Sequence, residues 1–334
     1  MEYTSLGHTG LRISRLGLGA MTFGREIDEA ESHRLLDHFT AAGGTLVDTA
    51  DSYGAGQSEE IIGSWLRTRR REEIVLATKV RFGPGPHRRG LGRTHILRSV
   101  DESLRRLGTD YIDLYQVHMW DYGTPVEETL RTLDSLVTSG KVRYLGISNV
   151  SGWQLQRTVS TCRVMGWEPV VSLSPLYNLL DREAEWELIP VCLNEGLGVL
   201  PWSPLRGGWL TGKFRRGARP AAGQARVGDT SGSAPDWTEA WENYDEDRTW
   251  NVIDTLVAVA DRVGRTPAQV ALNWLLGRPG VTAPILGARS LPQLTETMGA
   301  IGWELDATDR SLLDDASRKR LPYPYSLLED LRDA

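Results

Sequence analysis

The stretch Thr45-Leu-Val-Asp48-Thr-Ala-Asp51-Ser-Tyr53-Gly54 runs from two apolar residues into two acids and a phenol, then breaks on Gly-x-Gly at Gly54 and Gly56. This pattern reads as a buried strand delivering a carboxylate and a tyrosine into a loop. Two later strand-like runs also end on titratable groups: Lys79 follows Ile74-Val-Leu-Ala-Thr78, and His118 follows Tyr111-Ile-Asp-Leu-Tyr-Gln-Val117. Tyrosine, with a reference pKa of about 10, is a poor acid at neutral pH. A neighbouring ammonium such as Lys79 favours the phenolate and lowers that pKa. Asp48 is suited to hold Lys79 in place, and His118 to hydrogen-bond a substrate oxygen or relay its proton. Together the four groups suit protonation of an oxygen whose carbon is receiving a hydride. Singly, each has a duller role: Asp48 as a turn residue, Tyr53 as a surface aromatic, Lys79 as a strand-end charge, His118 as a buried satisfied imidazole. The joint arrangement argues for chemistry.

These groups need strands that end at one rim. From Leu16 onward the chain alternates. Strands are expected over 16–21, 45–50, 74–80, 111–118, 142–148, 170–175, 197–203 and 281–287. Between and after them, helices are expected over 28–42, 57–69, 94–107, 125–139, 151–165, 182–195, 248–263, from Thr266-Pro267, over 290–300 and near 307–317. Alternation of this kind implies a parallel sheet with right-handed crossovers, and eight units suggest a closed (β/α)8 TIM barrel. Residues 1–334 are expected to form one such domain. Ahead of it, Gly7-His-Thr-Gly10 between two short alternating runs predicts a β-hairpin. Extra helices are expected at the C-terminal end. A long loop over 217–247, rich in Gly, Ala, Pro and Asp, follows the seventh strand and should lie at the catalytic rim. Its Trp237, Trp241 and Tyr244 either line a substrate pocket or pin the loop to the barrel.

Composition narrows the class. A formal charge of −6 gives no electrostatic reason to expect a nucleic acid or an anionic membrane as partner. No run approaches the length needed to span a bilayer. The two cysteines, Cys162 and Cys192, lie on different expected helices and form no metal-ligand spacing, which suits a reduced, cytoplasmic protein. No metal is expected, and the sequence does not disclose an oligomeric state.

The motifs resemble those of the aldo-keto reductase superfamily. They are Asp48-Thr-Ala-Asp-Ser-Tyr53-Gly54, Ser58-Glu-Glu-Ile-Ile-Gly63, Thr78-Lys79, Gln116-Val-His118 and Gly146-Ile-Ser-Asn149, with Leu16-Gly-Leu-Gly-Ala-Met-Thr-Phe-Gly24 before them and Pro284-Ile-Leu-Gly-Ala-Arg289-Ser after. The resemblance covers nearly the whole chain in order. It implies an NADP(H)-dependent reductase of small-molecule carbonyls, with Tyr53 as general acid supported by Asp48, Lys79 and His118. It also implies that Ala20, Met21, Asp48, Ser148, Asn149, Ser174 and Ser203 lie against the cofactor, with Ser148 and Asn149 on the carboxamide and Trp202 stacked on the nicotinamide. Leu205, Gly207 and Lys213 would line the pyrophosphate. Gly287, Ala288, Arg289, Gln293, Glu296 and Thr297 match the adenosine and 2′-phosphate region. A guanidinium at Arg289, at the start of helix 290–300, can grip a 2′-phosphate bidentately and favours NADP over NAD. Met21, Phe23, Phe82 and Trp120 follow strand ends at the same rim and are candidate substrate-pocket walls for an apolar or aromatic carbonyl.

Two positions depart from the family pattern. Ser174 stands where a glutamine is common, and Thr297 replaces a frequent asparagine. Gly207-Gly-Trp-Leu-Thr-Gly212-Lys213 imitates a Walker A loop but ends on Phe214 rather than Ser or Thr, and Gly17-x-Gly19 lacks the third glycine of a Rossmann loop. The family also contains NADPH-binding channel-associated β subunits, and dehydrogenases that run toward oxidation. The intact tetrad favours a reductase.

Overall fold

A computed structural model describes residues 1–85, 87–220 and 241–330. Strands β1 (Tyr3–Ser5) and β2 (Arg12–Ser14) pair antiparallel as the expected hairpin. The other eight are β3 (Gly17–Gly19), β4 (Leu46–Asp48), β5 (Val75–Val80), β6 (Ile112–Val117), β7 (Val142–Ser148), β8 (Val170–Ser174), β9 (Gly198–Val199) and β10 (Ile285–Gly287). They form one parallel sheet in the order β10-β3-β4-β5-β6-β7-β8-β9. Its open edges meet where Val199 bridges Val281, with the Thr282 amide on the Val199 carbonyl at 2.8 Å and the Ile285 amide on the Pro201 carbonyl at 2.9 Å. The (β/α)8 expectation holds. Strands seven and eight keep shorter ladders than their apolar runs suggested, because Pro201 and Pro284 have no N–H to donate.

Helices α1 (Glu29–Ala41), α2 (Gln57–Leu66), α3 (Arg93–Leu107), α4 (Val126–Thr138), α5 (Gly152–Met165) and α6 (Leu188–Glu195) follow strands β3 to β8 in turn. After β9 come α7 (Trp241–Tyr244), α8 (Asp247–Val263) and α9 (Pro267–Leu276); after β10 come α10 (Leu291–Met298), α11 (Ala307–Ser317) and α12 (Tyr325–Asp330). Caps set several boundaries. Asp28 accepts from the Glu31 amide ahead of α1, and Thr266 with Gln269 makes a capping box ahead of Pro267. The expected helix over 182–195 divides into a short 3₁₀ turn, Glu183–Glu185, and α6. Neither α7 nor α12 was expected.

Two apolar clusters follow from the layering. One lies between sheet and helices, with Leu36, Ile62, Val100, Leu133 and Leu256 fully buried or nearly so. The other fills the inside of the barrel with Leu46, Ala77, Leu114, Leu200 and Ile285, and the hairpin adds Leu6 and Ile13 to it. The hairpin therefore plugs the end where strands begin. Gly7, at φ +55°, sits so close there that a Cβ would lie 2.6 Å from the Gly196 carbonyl oxygen and 2.7 Å from the Gly198 nitrogen. The opposite end, where Asp48 and Lys79 finish their strands, is left for chemistry. None of the helices among the described residues is long and apolar enough to cross a membrane.

Of the long loop after strand seven, Trp237 lies outside the described residues. The aromatics that are described pack. Trp209 is wholly buried and stacks on Trp241 with ring centroids 4.9 Å apart, and Phe214, Tyr244 and Trp250 surround it. For Trp241, then, the pinning role is the one realised.

Candidate active site

Register brings the tetrad together. Asp48 pairs with Ala77, Lys79 with Gln116, Gln116 with Gly146, and Ser148 with Ser174. Because strand side chains alternate faces, Ala77 and Lys79 share the inner face, and so do Gln116 and Gly146. Gly146 makes room: a Cβ there would lie 2.9 Å from Gln116 Cγ and 2.8 Å from Ser172 Oγ. Tyr53 enters from the turn Tyr53–Gly56, which bends sharply through left-handed Gly54, Ala55 and Gly56 before α2 begins.

Lys79 Nζ lies 2.5 Å from Asp48 Oδ2, 2.9 Å from the Thr49 carbonyl and 3.5 Å from the Tyr53 hydroxyl. The Lys79 and Asp48 side chains are only 4% and 8% exposed. Gln116 Nε2 donates to the other Asp48 oxygen at 2.9 Å. Burial opposes the ammonium, but the Asp48 carboxylate and the Tyr53 oxygen outweigh it and raise the Lys79 pKa. Burial, with the Lys79 charge behind it, holds the His118 pKa well below the ordinary imidazole value. The His118 ring is therefore neutral at neutral pH. It meets Tyr53 edge-on at 5.8 Å and Phe82 at 5.1 Å.

A second charged layer, unread in the sequence, backs the first. Glu59 is fully buried; it accepts from the Thr78 hydroxyl at 2.6 Å and from Arg106 Nε at 2.7 Å. Burial and the Glu59 charge push the neighbouring Asp51 carboxyl up to about 8. Gln116 was also missed, though its place two residues before His118 on one strand face was a readable signal.

Beside the tetrad, the ends of β7 and β8 and the loop after β9 converge. Ser148 Oγ donates to the Ser174 carbonyl at 2.7 Å. Asn149 Nδ2 donates to the His118 carbonyl at 2.9 Å, and Trp202 Nε1 donates to Asn149 Oδ1 at 3.2 Å. Asn149, Ser203, Arg206, Gly207 and Gly208 all have positive φ. Half-buried Leu205 leads into the 3₁₀ turn Arg206–Thr211, so no helix of P-loop type follows. Gly208 takes φ +99°, which favours glycine, and Lys213 Nζ lies 2.5 Å from where its Cβ would stand. Arg206 Nε pairs with Asp181 at 3.1 Å and also reaches the Tyr244 hydroxyl.

At the far side, Gly287 and Arg289 are exposed, and the Arg289 amide donates to Gln293 Oε1 at 2.9 Å. Glu296 is exposed, whereas the Thr297 hydroxyl is spent on the Gln293 and Leu294 carbonyls of its own helix, both at 3.0 Å. Ala20 and Ala288 are buried; Met21 is half-buried. Among the expected pocket walls, Phe82 and Trp120 are half-buried at the rim, and Trp120 packs edge-on against Trp153 at 5.7 Å. Phe23 needs correction. It is wholly buried in the outer core and offers no surface to a pocket, because the turn that carries it folds back so that Phe23 bridges Ile27.

The aldo/keto reductase family model matches residues 15–318. An oxidoreductase of Bacillus subtilis, YrpG, is 39% identical over 94% of this chain and 95% of its own. The versiconal hemiacetal acetate reductase of Aspergillus parasiticus is 34% identical over 94% of this chain and 96% of its own. A probable voltage-gated potassium channel subunit beta of Arabidopsis thaliana is 34% identical over 90% of this chain and 91% of its own. With its parallel barrel and a match that runs almost end to end, the chain belongs to the aldo/keto reductase family.

Proposed function

We propose that the protein is an NADPH-dependent reductase of aldehydes or ketones in which Tyr53 is the general acid. One observation carries the reading: a buried ammonium, Lys79, lies 2.5 Å from a carboxylate and 3.5 Å from a phenol whose ring meets a neutral histidine. When bound, the nicotinamide supplies the hydride. Tyr53 gives its proton to the carbonyl oxygen. Lys79 stabilises the phenolate left behind by about 5 kcal/mol, taking an effective dielectric of about 20. Asp48 and the Thr49 carbonyl fix the ammonium so that no reorganisation is needed as charge develops. His118, uncharged, orients the oxygen, and Phe82 shields the imidazole from water.

The residues present suit a dinucleotide. Ser203, Arg206, Gly207 and Gly208 take left-handed φ, a tight turn whose two glycines let the backbone approach a phosphate closely. Gly208 leaves a cradle over Lys213, and Trp202 is steadied beside Asn149. Ser148, Asn149 and Ser174 would hold the carboxamide end, Leu205, Gly207 and Lys213 the pyrophosphate, and Arg289 with Gln293 and Glu296 the 2′-phosphate end. Met21, Phe82 and Trp120 favour an apolar or aromatic carbonyl. Two buried cysteines that are both free suit a reducing compartment such as the cytoplasm.

The test is NADPH absorbance decay over a panel of aldehydes and ketones. Tyr53→Phe should slow hydride transfer by about 10²–10⁴-fold with the NADPH dissociation constant nearly unchanged. The channel-subunit relatives support a second reading, a nucleotide-binding regulator with little turnover. Tight NADPH binding with no turnover on any carbonyl, and no effect of Tyr53→Phe, would favour it. Faster alcohol oxidation than carbonyl reduction on one substrate pair would instead favour a dehydrogenase.

A further inference from the structure

Glu26 stands opposite the arginine assigned above to the 2′-phosphate. Its Oε2 lies 3.8 Å from Arg289 Nε, with the Arg289 and Glu26 side chains 40% and 21% exposed. The turn that carries it is stiff. The Gly24 amide donates to the Ile27 carbonyl at 2.9 Å, the Glu26 amide donates to the Thr22 carbonyl at 2.9 Å, and Phe23 is buried beneath. The same turn is tied to the Arg289 segment, because the Thr22 hydroxyl donates to the Ala288 carbonyl at 3.1 Å. Arg25 pairs with the other oxygen of Glu26. The turn therefore fixes the Glu26 backbone, and its carboxylate is shared between Arg25 and Arg289.

Dinucleotide sites commonly resolve this position one way. An acid accepts from the ribose 2′-hydroxyl and selects NAD, or an arginine meets the 2′-phosphate and selects NADP. Here both stand within one ion pair. A phosphate of about −1.5 to −2 charge that approaches Arg289 must displace Glu26 or endure its repulsion. A 2′-hydroxyl meets no such opposition.

We propose that Glu26 is a specificity-determining residue that acts through Arg289 to weaken discrimination in favour of the 2′-phosphorylated cofactor. The inference rests on the reading of this site as one for a nicotinamide dinucleotide. On this account the protein binds NADPH less tightly than Arg289 alone would allow, and the gap between NADPH and NADH is narrower than the guanidinium suggests.

The experiment titrates the full chain with NADPH and NADH separately, reading nicotinamide fluorescence, for wild type, Glu26→Gln, Glu26→Asp and Arg289→Ala. Glu26→Gln should tighten NADPH by about fivefold, the scale of an exposed ion pair, and leave NADH within about twofold. Glu26→Asp, which keeps the charge, should stay near wild type. Arg289→Ala should weaken NADPH far more than NADH. Because the Glu26 effect is electrostatic, it should shrink as salt rises from 50 mM to about 1 M, where the screening length falls to about 3 Å. An NADPH-to-NADH ratio unmoved by Glu26→Gln, or moved toward NADH, overturns the inference, and so does an equal shift in both. If wild type binds neither nucleotide, the dinucleotide reading falls and takes this inference with it. If wild type binds and only the ratio fails to move, the inference alone falls.

Discussion

Lys79→Met removes the ammonium and keeps most of its aliphatic stem. The Asp48 carboxylate left behind is 8% exposed and retains the Gln116 amide as a side-chain donor at 2.9 Å. Breaking a buried ion pair from one side costs about 3–5 kcal/mol. For 334 residues, an unfolding entropy of about 2.1 cal/mol/K per residue gives about 0.7 kcal/mol/K, so Tm should fall by about 4–7 °C. Adding Asp48→Asn removes the stranded charge, and the double variant should recover much of the loss, giving a coupling of about 2 kcal/mol. The assay is a set of thermal melts of wild type, both single variants and the double. Losses that simply add would refute the view that this ion pair holds the centre of the site together.

The remaining predictions concern the layer behind the site and the far end of the loop. Asp51 ionises near about 4 when unfolded but at about 8 in the folded chain. The folded state then keeps a proton that the unfolded state has lost, and stability should fall as pH rises across that window. Asp51→Asn should make this fall shallower in denaturant melts between pH 5 and 8; an unchanged slope would contradict the assignment. Trp241 is 5% exposed, stacks on Trp209 at 4.9 Å and donates its N–H to Asp245 at 2.9 Å. Trp241→Ala should cost about 3–5 kcal/mol in denaturant melts, and a loss under 1 kcal/mol would rule out a pinning role.

Local signals made much of the fold legible. Eight apolar runs separated by helical patterns dictated a parallel barrel, and Asp28 and Thr266-Pro267 marked helix starts that the structure keeps within a residue. What local pattern does not encode is pairing across distance. Glu59 and Arg106 lie on different helices, 47 residues apart, yet Glu59 is fully buried against the arginine. Phe23 followed a strand end and was therefore read as a rim residue; the backbone turn that hides it depends on Gly24 at φ +72°. The short α7 is held by Trp209, about thirty residues earlier, and no periodicity announces that. In the tetrad the residue types were readable because Asp48, Lys79 and His118 stand at strand ends and Tyr53 follows in the turn after one. The Gln116 link to Asp48 needed the register.

The hairpin across the barrel floor makes the molecule a cup rather than a tube. Leu6 and Ile13 stopper the side where strands start, so among the described residues the approach to Lys79 is from the other end. Among the described residues, reactant and product would then share that open side.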